Sequence, residues 1–327
     1  MQAHKYILFF YFFIFSCEKN TLLPVESGDL SYVSLCSDKE LLNTISVLSF
    51  NKLSTTSLNS VTELIEHLDP DIIGLQESYE MGLDIADRFN YCYYGNNKNS
   101  TAVLSKFPIQ GINYMQSRII LNDSLYINFF NVHLTAYPYQ PYDIRDTLIT
   151  TESQAIYQAE QTRGEELDFL KSSINNLASN MPTIVVGDFN EPSHLDWISG
   201  AENPERFQIN GYDFIVDWPI SNAMNAMNFI DAYREIYDNP ILSPGYTWTP
   251  NISLNEVNDR IDFIYYYPRH DSVAVSHNFN QGLYDFNVFE ISLESVYVVG
   301  PDYFSDIVID NYESDHRGVF AVFNLDY

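Results

Sequence analysis

The segment "IVVGDFN", residues 184–190, ends a β-favouring apolar run in a carboxylate and a carboxamide two residues apart. Side chains alternate along a strand, so Asp188 and Asn190 leave it on the same side. The pattern recurs along the chain: "LSFN" ends in Asn51, "GLQE" in Glu77, and "NVHL" carries His133. "RIDFIYY" holds Asp262 inside an apolar run, and "ESDHRG" sets Asp315 and His316 just ahead of the last one. Carboxylates, carboxamides and imidazoles at strand ends are groups that hold hard cations, orient water and clamp phosphate oxygens. Singly, each has an ordinary explanation: Glu77 as a helix cap, His133 as a satisfied core residue, "GDFN" as a turn. Asp262 resists that treatment. Flanked by Ile261, Phe263 and Ile264, its carboxylate costs several kcal/mol to bury unless a partner or a cation compensates.

The elements that would carry these residues alternate. Residues 45–51, 71–77, 101–109, 125–136, 183–190, 260–268 and 316–325 read as strands. Residues 57–68, 81–89 and 228–237 read as helices, and 152–178 as a long helix with its charges on one side. The stretch 270–312, rich in Tyr, Asn and Asp, reads as an added hairpin or a substrate-side loop. No internal repeat or low-complexity linker follows residue 40, which points to one α/β domain over 41–327. In an α/β sandwich the loops at one sheet edge carry the site.

A hydrophobic share of 46% with 18% charged residues is globular. The net charge of −28 repels nucleic acid and anionic membranes unless cations or a basic patch intervene. Residues 1–17, "MQAHKYILFFYFFIFSC", set Lys5 ahead of an apolar run too short for a comfortable bilayer span, and read as a signal peptide. Their end, Ile14–Cys17, resembles a bacterial lipobox that would acylate Cys17 and attach the chain to a membrane; ordinary secretion is the alternative, because Phe15 fits that pattern poorly. Residues 18–40 read as a tether. The expected location is therefore exported: periplasmic or cell-surface lipoprotein, otherwise secreted. Cys36 and Cys92 remain, open to one disulfide in an oxidising compartment or to none, and no cysteine spacing suggests zinc.

The set "SFN", "LQE", "HLTA", "GDFN", "DRIDFIY" and "SDHRGVFAVF", in this order, resembles the endonuclease/exonuclease/phosphatase superfamily over roughly 41–327, in pattern its secreted deoxyribonuclease and sphingomyelinase-like branch. The resemblance implies a four-layer α/β/β/α sandwich with two mostly antiparallel mixed sheets. It implies a metal-dependent phosphoesterase in which Glu77, with Asn51 beside it, holds Mg²⁺ (Mn²⁺ or Ca²⁺ also suit hard oxygen ligands). Asp315 would bind or orient a second metal or water. Asp188 resembles the group that orients or deprotonates the attacking water, and Asn190 the one that holds a phosphate oxygen. His316 resembles the phosphate-contacting imidazole, steered by Asp262. His133 resembles the second imidazole of the secreted nucleases and sphingomyelinases.

The departures narrow the choice. Lys52 stands where abasic-site endonucleases carry a carboxylate, and "NDRIDFIY" differs from the inositol phosphatase pattern. Secreted deoxyribonucleases orient the first His with an acid absent from "NNKNSTAVLSK", so His133 needs another partner. Arg145, in the Tyr- and Pro-rich loop 136–146, is open to two readings: a phosphate contact, or a pair with a neighbouring Asp. His194 reads as a rim residue, Trp197 as packing and Asp196 as a cap or ion-pair partner. The expected substrate is a phosphodiester of a small nucleotide, a phospholipid headgroup or nucleic acid, and of these charge disfavours the duplex without excluding it. The alternatives are a phosphomonoesterase or a non-catalytic binding protein on this fold. No protein partner is expected.

Overall fold

The computed structural model describes residues 33–34, 43–96, 100–177, 181–251, 253, 255–269 and 289–327. Two seven-stranded sheets face each other. The first runs Val33–Ser34, Ile109–Gly111, Gln116–Ile120, Tyr126–His133, Thr183–Asp188, Asp262–Tyr267, Ile230–Asp231. The second runs Ile307–Val308, Glu290–Gly300, Gly318–Asp326, Thr44–Asn51, Ile72–Gln76, Thr101–Ser105, Cys92–Asn96. Pairing is antiparallel except between 126–133 and 183–188, between 44–51 and 72–76, and between 290–300 and 307–308.

Alternation along each strand builds the layers. Ile45 and Val47, Ile127 and Phe129, and Ile184 and Val186 point into the core between the sheets. Leu48, Phe50, Ile73 and Leu75 point outward, where Val61, Leu64 and Ile65 of the helix Leu58–Leu68 cover them. Ser57 starts that helix by accepting the Ser60 N–H. On the other side Leu167, Leu170 and Ile174 of the 24-residue helix Glu152–Asn175 cover Phe130, Val132 and Val185. Helices therefore cover both outer faces, giving the expected α/β/β/α sandwich. The sheets approach closely at Gly74, where a Cβ would stand 2.4 Å from Val186 Cγ2. Beside it, Asn131 donates to the carbonyls of Leu75 and Ala102 and accepts from Gln76 Nε2 at 2.7 Å, linking the two sheets.

Three expectations change. The run 101–109 is two strands, not one: Thr101–Ser105 lies in the second sheet and Ile109–Gly111 in the first, and the chain crosses between sheets at Lys106–Pro108, where Pro108 has no N–H for a ladder. Residues 228–237 form a short strand, Ile230–Asp231, and then the helix Ala232–Ile236, capped by Asp231. Val33–Ser34, inside the stretch read as a tether, pair with Gln110 and Ile109. The leader, Cys36 and residues 270–288 lie outside the described residues; Glu290–Gly300 is a long strand against the last one. Cys92 is disulfide-bonded, with its partner outside the described residues. Among the described residues no helix is long and apolar enough to cross a membrane.

Candidate active site

The inward rows turn polar at one end of the sandwich. Ile184 and Val186 continue to Asp188, Ile127 and Phe129 to Asn131 and His133, and Ile45 and Val47 to Ser49 and Asn51. In the first sheet His133 pairs in register with Asp188, and Asp188 with Asp262, so three adjacent strands set these side chains in a row on one face. In the second sheet Asn51 pairs with Gln76, which puts Asn51 and Glu77 at neighbouring parallel strand ends. The loop before Gly318–Asp326 brings in Asp315 and His316. Asn51, Glu77, His133, Asp188, Asn190, Asp315 and His316 line one cavity of about 130 Å³, together with Tyr137, Tyr139, Tyr142 and Trp248.

Backbone geometry shapes the exit of "VVGDFN". Gly187 has φ +145°, and a Cβ there would lie 2.0 Å from the Val132 carbonyl oxygen, so only glycine fits. Asn190, at φ 51°, uses the left-handed region that Asn tolerates. It folds back on Asp188: its N–H donates to Asp188 Oδ1 at 2.8 Å and its Nδ2 to Asp188 Oδ2 at 3.1 Å and to the Leu134 carbonyl at 2.9 Å. Glu77 also has φ 51°, a strained conformation for this residue type of order 1 kcal/mol. Its Oε2 accepts the Ser54 N–H at 2.8 Å.

Asp262 is fully buried, and its Oδ2 meets His316 Nδ1 at 2.9 Å, which settles the compensation its apolar flanks demanded. Thr247 Oγ1 accepts the N–H of Ile261 and of Asp262. Ser314 donates to the Asn51 carbonyl and accepts the His316 N–H, tying the His316 loop to the Asn51 strand. His316 Nε2 stands 3.8 Å from Asp188 Oδ2, and His133 Nε2 stands 3.7 Å from the same oxygen. Asp188 is thus a charged neighbour of His133, beyond hydrogen-bond reach. Asn51 Nδ2 donates to Asp188 Oδ2 at 2.9 Å.

Charge follows from these contacts. Burial works against a charged His316, yet Asp262 and Asp188, with Asp315 behind them, push its pKa up to about 10. Burial raises the Asp188 carboxyl above the ordinary range, Asp262 raises it further, and the two imidazoles pull it back. Burial also raises Asp315, with Glu77 and Asp188 adding to it. Oδ1 of Asp315 and Oδ1 of Asp262 are buried with no hydrogen-bond partner among the described residues.

Ligand atoms of Asp188, Asp262 and His316 lie within 4.8 Å of one another, a group able to bind a divalent ion. His316 Nδ1 and Asp262 Oδ2 are already joined by a hydrogen bond. The hard oxygens of Glu77, Asn51 and Asp315 line the cavity and are the better donors, and the unpartnered Asp315 Oδ1 is what a cation would satisfy.

Of the residues expected from sequence, Arg145 does not line the cavity. Its Nε and Nη2 pair with both Asp146 oxygens at 2.8 and 3.0 Å, Nη1 donates to the Asn255 carbonyl, and the guanidinium lies over Tyr142. A side chain next to an acidic neighbour takes the near partner, so the phosphate-contact reading is replaced by the ion-pair one. His194 lies away from the cavity, its Nδ1 at 2.8 Å from Ser221 Oγ. Trp197 is buried, and Asp196 pairs with Arg234 and Arg260. Sequence reading missed Trp248, whose ring lies 4.8 Å from that of His316, and Thr247 and Ser314 beneath it. The only signal was an aromatic between two threonines in "YTWTP", which no periodicity singles out.

Residues 47–316 match the sequence profile of the Endonuclease/Exonuclease/phosphatase family. The chain belongs to that family. Its members are typically hydrolases acting on phosphate esters. An uncharacterized protein of Caenorhabditis elegans is 27% identical over 254 residues, covering 68% of this chain and 79% of that protein. In fold, the chain resembles an AP endonuclease from Archaeoglobus fulgidus (TM-score 0.51, 14% identity, 85% of this chain and 99% of the other). It also resembles a humanized D. rerio TDP2 (TM-score 0.50, 12% identity, 86% and 100%).

Proposed function

We propose that the chain hydrolyses a phosphodiester by in-line attack of a water that Asp188 deprotonates. The observation that supports this most is the row of half-buried His133 and buried Asp188 and Asp262, with His316 across it, beside one cavity with Glu77, Asn51 and Asp315. The raised proton affinity of Asp188 suits a general base. His316, held protonated by Asp262, donates from Nε2 to a non-bridging phosphate oxygen, while Asn190, its amide committed to Asp188 and the Leu134 carbonyl, holds Asp188 in place. As the water oxygen bonds to phosphorus, the bond to the leaving oxygen breaks and that oxygen takes a proton from His133. Products are a phosphomonoester and an alcohol. Asp188 then releases its proton to solvent water and His133 takes one up from it, which restores both groups.

Glu77, Asp315 and Asn51 would hold Mg²⁺, or Mn²⁺ or Ca²⁺, which when bound supplies positive charge for the phosphate. We place the enzyme outside the cytoplasm because of the apolar segment before Cys17 and the disulfide at Cys92; intact mass of the mature protein, with or without an acylated Cys17, tests this.

The test of the chemistry is release of p-nitrophenol from bis-p-nitrophenyl phosphate and from p-nitrophenyl phosphate, with Mg²⁺, Mn²⁺, Ca²⁺ or EDTA. Metal-dependent diester cleavage that His316→Ala removes is the expected result. Preference for the monoester would replace the diesterase with a phosphatase. Turnover equal in wild type and variant with every metal would overturn the reading.

A further inference from the structure

We propose that this cavity selects a phosphodiester with a single negative charge and a flat, ring-bearing group next to its phosphate. The inference rests on the hydrolase reading above and names the substrate class.

Charge is the first argument. The described residues lining the cavity include the carboxyl groups of Glu77, Asp188 and Asp315 but no Lys or Arg. Lys52 follows Asn51 in sequence and interacts with the charge of Glu77, but it is buried, donates to the Leu53 carbonyl and does not line the cavity. Arg145 is committed to Asp146 and Asn255. With three carboxyl groups facing the cavity, every phosphate beyond the one a cation holds adds like charge on a chain of net charge −28.

Much of the remaining lining is aromatic: Tyr137, Tyr139, Tyr142 and Trp248. Trp248 Nε1 donates to Tyr142 OH, which donates to Glu256 Oε1 at 2.7 Å, while Tyr139 OH donates to Asp259. Tyr139 and Tyr142 meet edge to face at 5.0 Å. These rings are held rigidly, so they cost little to order on binding. Tyr137 differs. It is 65% exposed at the mouth, and no described ring stacks on it.

Size decides how the two parts are placed. A cavity of about 150 Å³ takes one benzene ring. At about 130 Å³ and open at its mouth, this one seats a phosphate with little room beside it for a ring. The phosphate must reach Asp188 and His316, which leaves the ring at the mouth against Tyr137.

The ring could belong to a nucleoside or to an aryl alcohol, and substrates that share a ring-free second ester separate these. The methyl, phenyl and thymidine 5′ esters of 2,2,2-trifluoroethyl phosphate would be compared with a thymidine oligonucleotide carrying the same terminal trifluoroethyl ester, all with Mg²⁺, the phosphomonoester formed being followed by its ³¹P signal. Expected is a kcat/KM at least tenfold higher for the ring esters than for the methyl ester, carried by KM, and a lower value for the oligonucleotide than for the thymidine ester. Phenyl ahead of thymidine would assign an aryl group, the reverse a nucleoside. Tyr137→Ala should bring the ring-to-methyl ratio near one, and Tyr137→Phe should keep it. A wild-type ratio near one, a ratio unmoved by Tyr137→Ala, or an oligonucleotide turned over best would overturn the proposal. If nothing is cleaved the hydrolase reading fails separately, and equilibrium binding decides the selection. Phenyl methyl phosphate bound tighter than dimethyl phosphate, with the difference lost in Tyr137→Ala, sustains it; equal binding sinks it.

Discussion

Burial alone would strip the proton from His316, and Asp262, Asp188 and Asp315 keep it there. The folded-state pKa of about 10 lies above the ordinary 6.5, so the fold binds this proton more tightly than the unfolded chain does. The resulting stability is fully present below pH 6.5 and is lost as pH rises through about 10. In EDTA, the stability gap between wild type and His316→Gln by urea unfolding should therefore narrow from pH 6 to pH 10; a gap that widens would contradict the assignment. Loss of the imidazole in His316→Ala should lower kcat by about 10²–10³-fold. Asp262→Asn removes the partner at 2.9 Å and should move the alkaline limb of the rate profile to lower pH. Metal is tested apart from turnover: saturating Mg²⁺, at 100 times its Kd, should stabilise wild type by about 2.7 kcal/mol and Glu77→Gln by much less.

At the scale of elements, two loops that carry the site hang on one buried ion pair. Arg163, on the long helix, pairs with Glu191 Oε2 at 3.2 Å and donates to the Thr135 carbonyl and to Gln140. Glu191 Oε1 accepts the Ile220 N–H at 2.8 Å. The pair thus joins the exit after Asn190 to the loop after His133. Arg163→Met leaves Glu191 buried without its partner and should cost about 3–5 kcal/mol, whereas the double change with Glu191→Leu should recover much of that. Urea midpoints of the three proteins check it. Gly187→Ala puts a Cβ against the Val132 carbonyl and should cost at least ~3 kcal/mol, read the same way.

Across the whole molecule, charge outweighs any single contact. With 44 acidic against 16 basic residues, the compact state repels itself. Raising NaCl from 10 to 200 mM shortens the Debye length from about 30 Å to below 10 Å and should raise the thermal midpoint. A falling midpoint would mean that the surface ion pairs outweigh the net repulsion. Two sheets packed across Gly74 also make the sandwich intolerant of expansion. Gly74→Ala needs Val186 to move and should lower stability by about 1–3 kcal/mol.

Local pattern was enough for the interleaved strands and helices, because period-2 and period-3.6 apolar runs reflect which face is buried. It was enough for Asn51, Glu77, His133, Asp188, Asn190, Asp262, Asp315 and His316 as a set, since each is a polar residue placed where an apolar run ends. Asp262 was legible even by itself, because a carboxylate within a buried strand needs a partner. Tertiary structure alone named that partner as His316, 54 residues away, and gave His133 its neighbour in Asp188 through strand register. It also moved the chain from one sheet to the other at Pro108, turned Arg145 onto Asp146, and set Trp248 against His316. Such pairings depend on which strands lie side by side and on which of several neighbouring charges is nearest in space, and neither is encoded in the spacing of residues along one chain segment.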